Sequence, residues 1–323
     1  MHTALEEVSK APSKVSKPDL LRRFLQAYWL RPENAFWMTL RSETLADCPI
    51  EQPALDIACG DGLFSFLHCG GALHPSFDVF HAVAMDVAGD RSPHDMFDCC
   101  DDDYRPTVIE VPPAEFSIGL DLKPALLAKA SRLDFYDVLV RHDCNQPLPF
   151  DDHAFKTIYC NAAYWIDNIA GFLDELRRIT QSDGRIVLQV KLDTMARYTL
   201  AAHHKQLGPR VLEIIGRDRL DCWQSLADRR TWEDRFARAG LLVEREIPFI
   251  TATHAHIWDI GLRPIASMLT KLANGVTAQT RDAVKTEWVD LFMDLAAPLC
   301  DAHLNLFDGE SEPAEIQYQL RPQ

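Results

Sequence analysis

From residue 54 onward, short apolar runs alternate with segments whose apolar residues recur at helical spacing, which predicts an α/β fold with a mostly parallel sheet covered by helices on both faces. The run ALDIA (54–58) reads as a buried strand; CGDG then turns the chain, and Leu63, Phe64, Phe66 and Leu67 begin a helix that Gly70–Gly71 stops. A second unit is FSIGLDLKPALLAKA (116–130), where Pro124 suits the first turn of a helix and Leu126 and Leu127 its buried face. YDVLVRHD (136–143) and FKTIYCNAA (155–163) supply two more strands, NIAGFLDELRRIT (168–180) a helix ended by SDG (182–184), and RIVLQVKL (185–192) a fifth strand. TWEDRFARAGLLVEREIPFI predicts a helix capped through the Thr231/Asp234 spacing, a stop at Gly240 and a further strand. EIQYQLRP (315–322) alternates Ile316, Tyr318 and Leu320 with polar positions, as a closing edge strand does.

Three segments stand outside this alternation: two helices within 19–46, a polar, Pro-rich stretch over 72–115, and an interrupted helical pattern over 194–230 with Gly208–Pro209 at its break. The expected organisation is a disordered tail (1–18) and a single domain (19–323). In that domain, 19–46 is a helical cap, 54–192 the core and 72–115 an insertion, with helical elements over 194–230 and 256–305 on the substrate side.

Composition narrows the function. Lys and Arg number 33 against 48 Asp and Glu, a net charge of −15, which disfavours a phosphate-backbone partner. No apolar run reaches the roughly 18 residues of a membrane span, and the polar start MHTALEEVSKAPSKVSKP has no signal-like core, so the reading is a cytoplasmic protein without membrane partners. The nine cysteines form no CxxC pair and read as reduced. Cys99 and Cys100 lie among Asp95, Asp98, Asp101, Asp102 and Asp103, but adjacent ligands do not easily share a tetrahedral ion, so this is read as a solvated acidic loop and no metal is expected.

The chemistry concentrates at strand ends. In LDIACGDGLFSF, Asp56 ends a strand and small residues at 58, 60 and 62 lead into a helix, a turn that lets backbone N–H groups approach a ligand. Asp121, Asp143 and Asn161 follow the next three strands, and parallel strands end on one edge, so the four groups converge on one crevice. Here the sequence resembles the class I S-adenosylmethionine-dependent methyltransferases of small-molecule type, over roughly residues 54–192 and more loosely near 241–250 and 315–322. PLPF (147–150) and RRITQSDGRIVL (177–188) resemble later motifs of the same family.

The resemblance implies a Rossmann-like sheet of seven strands with the last antiparallel, S-adenosylmethionine as cofactor and S-adenosylhomocysteine as product. It places Asp56, Ala58, Cys59, Gly60, Asp61 and Gly62 under the methionine moiety, Asp121 on the ribose diol with Leu122 beside the adenine, Asp143 and Cys144 at the adenine amino group, and Asn161 and Ala162 near the methionine tail. Two departures stand out. Ala58 replaces the first glycine, which is compatible if its φ is negative, and 65 residues separate Asp56 from Asp121. Asp86, at the end of FHAVAMD, is the rival acid; Asp121 is preferred because a Pro-initiated helix follows it.

Methyl transfer asks mainly for alignment and, for some acceptors, a proton acceptor. Tyr164 and Trp165 follow the fourth strand and either shape the acceptor pocket or are core aromatics. His254 and His256, read as an i, i+2 pair in a strand, are candidate bases or structural histidines; His203 and His204 are weaker candidates. Tyr28, Trp29, Trp37 and Arg41 in the N-terminal helices, with Arg263, are candidate acceptor contacts, Arg41 and Arg263 for an acidic substrate. The expected activity is methyl transfer to an O- or N-acceptor on a small or medium-sized metabolite, sugar-containing or specialised, with no nucleic acid as partner. Two alternatives stand beside it: a non-catalytic cofactor-binding regulator, and a nucleotide-dependent oxidoreductase, which lacks its third glycine where Ser65 stands.

Overall fold

The computed structural model describes residues 15–81, 100, 102, 104–112, 116–216, 225–259, 261–262, 265–301 and 312–323. The chain opens with two helices, α1 (Lys17–Ala27) and α2 (Pro32–Leu45). Ser16 Oγ caps α1 by accepting from Asp19 N, so the helix starts two residues ahead of the expected boundary, and Leu20, Leu21, Phe24 and Leu25 form its buried stripe.

The core then runs β1 (Ala54–Ile57), α3 (Leu63–His68), β2 (Ala72–Leu73), β3 (Val108–Glu110), β4 (Ile118–Asp121), α4 (Pro124–Ala130), β5 (Val138–Arg141), β6 (Phe155–Cys160), α5 (Ile169–Ile179) and β7 (Thr180–Lys191). It continues through α6 (Thr194–Tyr198), α7 (His204–Gly216), α8 (Arg229–Arg238), β8 (Leu241–Ile250), α9 (Ala252–Asp259), α10 (Ala266–Asn274), α11 (Ala278–Asp301) and β9 (Glu315–Pro322). α7 is kinked at Gly208–Pro209, where Gly208 takes φ +76°. The cap of α8 is Asp228, which accepts from Thr231 N at 2.7 Å, and not Thr231 as the sequence spacing suggested; Arg229 and Arg230 extend the helix one turn earlier.

Seven strands form one sheet in the order β5-β4-β1-β6-β7-β9-β8, with β9 antiparallel to both of its neighbours. β9 is therefore not the edge strand that its alternation suggested. Ile316, Tyr318 and Leu320 pack into the core shared with α5 and α8, while Glu315, Gln317 and Gln319 are also buried. The polar face turns toward α2, where Gln317 Nε2 donates to Thr44 O at 2.8 Å and Gln317 Oε1 accepts from Gln189 Nε2 at 2.8 Å. Polar alternation here marks a hydrogen-bonded internal layer, and such groups are tolerated in a core because their partners are present.

The insertion starts and ends on a two-stranded ribbon, β2 against β3, which Arg23 of α1 ties down through Gly70 O, Gly71 O and Glu110. Its first segment is held by α11. Arg281 pairs with buried Asp78 at 3.0 Å, and Lys285 Nζ donates to Pro75 O and Phe77 O, both at 2.6 Å. None of the described helices is long and apolar enough to cross a membrane.

Candidate functional site

The turn after β1 makes three left-handed steps, at Ala58 (φ +58°), Gly60 (φ +61°) and Gly62 (φ +75°). The expected negative φ at Ala58 is not found. Cys59 N donates to Leu120 O at 3.0 Å, across to the neighbouring strand, and this bond holds the chain in a turn that alanine adopts at a cost of roughly 1–2 kcal/mol. A Cβ on Gly62 would meet Tyr136, Leu133 and Ala130 between 3.0 and 3.3 Å, so glycine is required there by packing. A Cβ on Gly60 would meet nothing within 4 Å: this backbone faces open space in the crevice.

Around that turn the predicted acids separate into two groups. Asp121 reaches the turn directly, its carboxylate accepting from Gly60 N at 3.0 Å and Lys123 N at 2.8 Å. Leu122 beside it is 54 % exposed, an apolar surface presented at the strand end. Asp143, after β5, accepts from Asn145 N at 2.9 Å; Cys144 next to it is half-buried, its thiol pushed up to about 12 chiefly by burial. Asn161, after β6, donates to the Tyr159 hydroxyl at 3.2 Å, and Ala162 leads into a short 3-10 turn over Ala163–Trp165.

Asp56 and Asp61 are buried braces. Asp56 accepts from Ser65 Oγ at 2.5 Å and Tyr136 OH at 2.6 Å, and burial, outweighing those two bonds, raises its pKa to about 7. Asp61 accepts from Leu63 N at 3.2 Å and lies 3.4 Å from the Tyr28 hydroxyl at the end of α1; burial raises it while Lys129 works the other way. That contact sets the N-terminal helices beside the turn.

The acceptor-side candidates sort differently from their sequence reading. His254 and His256 lie on helix α9, not on a strand, so an i, i+2 pair diverges: His254 is buried and His256 exposed. His254 packs edge-on to Phe36, accepts from Thr251 N at 3.2 Å and is pushed down to about 4 by burial, which makes it a structural neutral imidazole and not a base at the crevice. Trp29 is core, edge-on to Trp288 at 6.0 Å. Arg41 is not free for an acidic substrate in the way expected, because its guanidinium is taken by Glu315 at 2.9 Å. Arg263 lies outside the described residues, as do Asp86, Cys99 and most of the neighbouring aspartates; the described residues contain no cluster of three metal-ligating groups.

Tyr164 is buried, and Trp165 is 57 % exposed beside it. The Tyr164 hydroxyl accepts from Lys191 Nζ at 2.9 Å, and Lys191 also pairs with the fully buried Glu315 at 2.5 Å. Sequence reasoning missed Lys191 and Glu315. The only signal was a charged residue at one end of each of two strand patterns, Lys191 closing RIVLQVK and Glu315 opening its partner EIQYQL. A cavity of about 510 Å³ lined by residues such as Ser42, Glu43, Cys48 and His68 lies at the opposite end of β1, away from the converging acids.

Residues 110–188, from the end of β3 inside the insertion to the later part of β7, match the family model described as "Methyltransferase domain". They include Asp121, Asp143 and Asn161 but not the turn after β1. The match covers 79 of the chain's 323 residues, which supply β4, β5, β6 and most of β7 of the seven-stranded sheet.

No curated protein matches the sequence. Among solved structures the chain is similar to a Thermotoga maritima S-adenosylmethionine-dependent methyltransferase described as a possible histamine N-methyltransferase, at 10 % identity and TM-score 0.46 over 94 % of this chain and 100 % of that one. It is also similar to a putative sarcosine dimethylglycine methyltransferase from Galdieria sulphuraria, at 12 % identity and TM-score 0.44 over 90 % of this chain and 85 % of that one. A third is the geranyl diphosphate C-methyltransferase of Streptomyces coelicolor, at 11 % identity and TM-score 0.43 over 91 % and 84 % of the two chains.

Proposed function

We propose that this chain is a class I S-adenosylmethionine-dependent methyltransferase that acts on a small or medium-sized metabolite, through an oxygen or nitrogen acceptor. The observation that carries the reading is the open backbone at Gly60 held by Asp121 at 3.0 Å, a cradle that a side chain would fill. S-adenosylmethionine supplies an electrophilic methyl group on sulfur. Asp121 is assigned to the ribose diol, exposed Leu122 to one face of the adenine, and Asp143 and Cys144 to its amino edge. Ala58, Cys59, Gly60, Asp61 and Gly62 form the wall under the methionine part, Asp56 supports that wall from inside, and Asn161 and Ala162 border the tail. Tyr164 and Trp165, next along the chain, border the acceptor. The net charge of −15 supports a metabolite over a nucleic acid.

Calorimetric titration with S-adenosylmethionine and S-adenosylhomocysteine, on wild type, Asp121→Ala and Asp86→Ala, tests the cofactor assignments. Binding lost only with Asp121→Ala is the expected result; loss only with Asp86→Ala moves the ribose acid into the insertion. Turnover with methyl-labelled cofactor and metabolite fractions then separates an enzyme from a cofactor-binding regulator, which forms no labelled product.

A further inference from the structure

At the C-terminal ends of β6 and β7, beside the residues assigned to the methionine tail, three elements meet around one carboxylate. Glu315 of β9 is fully buried and takes Trp37 Nε1 at 3.2 Å, Arg41 Nε at 3.2 Å and Nη2 at 2.9 Å from α2, and Lys191 Nζ at 2.5 Å from β7. Burial acts to raise its pKa, yet Arg41 and Lys191 hold it below the ordinary carboxylate value. Two cations thus share one carboxylate, and no second carboxylate hydrogen-bonds to the group among the described residues.

Lys191 is the member of this cluster that reaches the β6 side. Its ammonium has three N–H bonds: one goes to Glu315, one to the Tyr164 hydroxyl at 2.9 Å, and the third meets no acceptor among the described residues. The same nitrogen lies 4.4 Å from the centre of the Tyr164 ring and 5.3 Å from that of Trp37, so aromatic faces close two of its sides. Tyr164 accepts from Lys191 and keeps its own proton to donate. A spare ammonium N–H and a spare phenol O–H therefore stand together in a buried, net-positive environment. Such surplus charge is costly away from water unless an anion joins it.

We infer that Lys191 and Tyr164 form an anion subsite of the acceptor pocket, and that the methyl acceptor carries a carboxylate seated on these two donors. The inference rests on the methyltransferase reading of the crevice. It separates the candidate acceptors by charge: a carboxylate compensates the cluster, whereas a protonated amine at the same place adds to its excess. Arg41 and Glu315 act through Lys191 as positioning residues.

The test uses benzoate, benzamide and benzylamine as probes of equal shape, titrated into the full-length protein saturated with S-adenosylhomocysteine. Benzoate is expected to bind at least tenfold more tightly than benzamide, with no binding of benzylamine. Lys191→Met is expected to lose benzoate binding at least tenfold while keeping S-adenosylhomocysteine affinity within twofold, because Arg41 and Glu315 remain as a neutral pair; Lys191→Arg is expected to retain part of it. Wild type that binds S-adenosylhomocysteine but not benzoate, or equal benzoate affinity in Lys191→Met, overturns the subsite and leaves the methyltransferase reading standing. If wild type does not bind S-adenosylhomocysteine at all, the cofactor reading fails and the inference falls with it.

Discussion

The Gly60 backbone N–H donates to the Asp121 carboxylate at 3.0 Å, joining the turn after β1 to the end of β4. The bond spans the whole insertion in sequence and fixes the crevice at its centre. A hydrogen bond to a charged group contributes roughly 1.5–3 kcal/mol, and Asp121 is assigned a second role on the ribose. Asp121→Ala is expected to weaken S-adenosylhomocysteine binding about 100-fold and Asp121→Asn about tenfold, as read by calorimetry. Equal affinity of Asp121→Ala and wild type would remove Asp121 from the site.

Two glycines of the same turn give opposite expectations. At Gly62 an added Cβ lies 3.0 Å from the Tyr136 ring, on a backbone at φ +75°, and Tyr136 is itself bonded to Asp56. Gly62→Ala is expected to destabilise the apo protein by about 2 kcal/mol in urea unfolding. At Gly60 the backbone strain is similar but no atom lies within 4 Å. Gly60→Ala is expected to cost about 1 kcal/mol of stability and to lower cofactor affinity by a larger factor, since the methyl group enters the cradle. A Gly60→Ala protein with unchanged affinity would show that the cofactor does not approach this backbone.

The strands, their order along the chain and the acids at their ends were legible because each is a local pattern. A buried four-residue run, a turn rich in small residues and a Pro-started helix are all written in adjacent residues, as at Ala54–Gly62 and Asp121–Ala130, although the positive φ of Ala58 was not. What escaped depends on partners distant in sequence. EIQYQL reads as an edge strand until Gln317 is seen bonded to Thr44 and Gln189, and nothing local to Lys191 points to its buried partner Glu315. The histidines of THAHIW were misread for a related reason. β8 ends at Ile250 and α9 starts at Ala252, too short a boundary for periodicity to register.

Asp56 and His254 give opposite pH dependences. Asp56 has its folded pKa raised from 3.8 to about 7, so its contribution to stability is complete below pH 4 and is lost as pH rises to 7. His254 has its folded pKa lowered from 6.5 to about 4, so its contribution is complete above pH 6.5 and is lost as pH falls to 4. The differences correspond to about 4 kcal/mol for Asp56 and about 3 kcal/mol for His254 across their windows. Urea unfolding between pH 4 and 7 is expected to show the stability of wild type relative to Asp56→Asn falling with pH, and that relative to His254→Gln rising. Parallel curves for wild type and either variant would mean that the residue titrates alike in both states.

The clamp between α11 and the start of the insertion is a buried ion pair, Arg281 on Asp78 at 3.0 Å with side-chain exposures of 5 % and 1 %. Arg281 also lies 5.3 Å from the Trp29 ring, so the same cation packs on the N-terminal helices. Burying two charges returns little net stability, but removing one partner strands the other. Arg281→Met leaves Asp78 with Phe80 N as its remaining described backbone donor and Lys285 as the neighbouring cation, itself lowered to about 8 by burial and committed to two carbonyls. Arg281→Met is expected to cost about 3–5 kcal/mol, whereas Asp78→Asn with Arg281→Met is expected to recover more than half of it. A double variant no more stable than the single one would mean that Arg281 stabilises the protein mainly by packing on Trp29. In that case the base of the insertion would be held by Lys285, and Lys285→Met would be the more destabilising change.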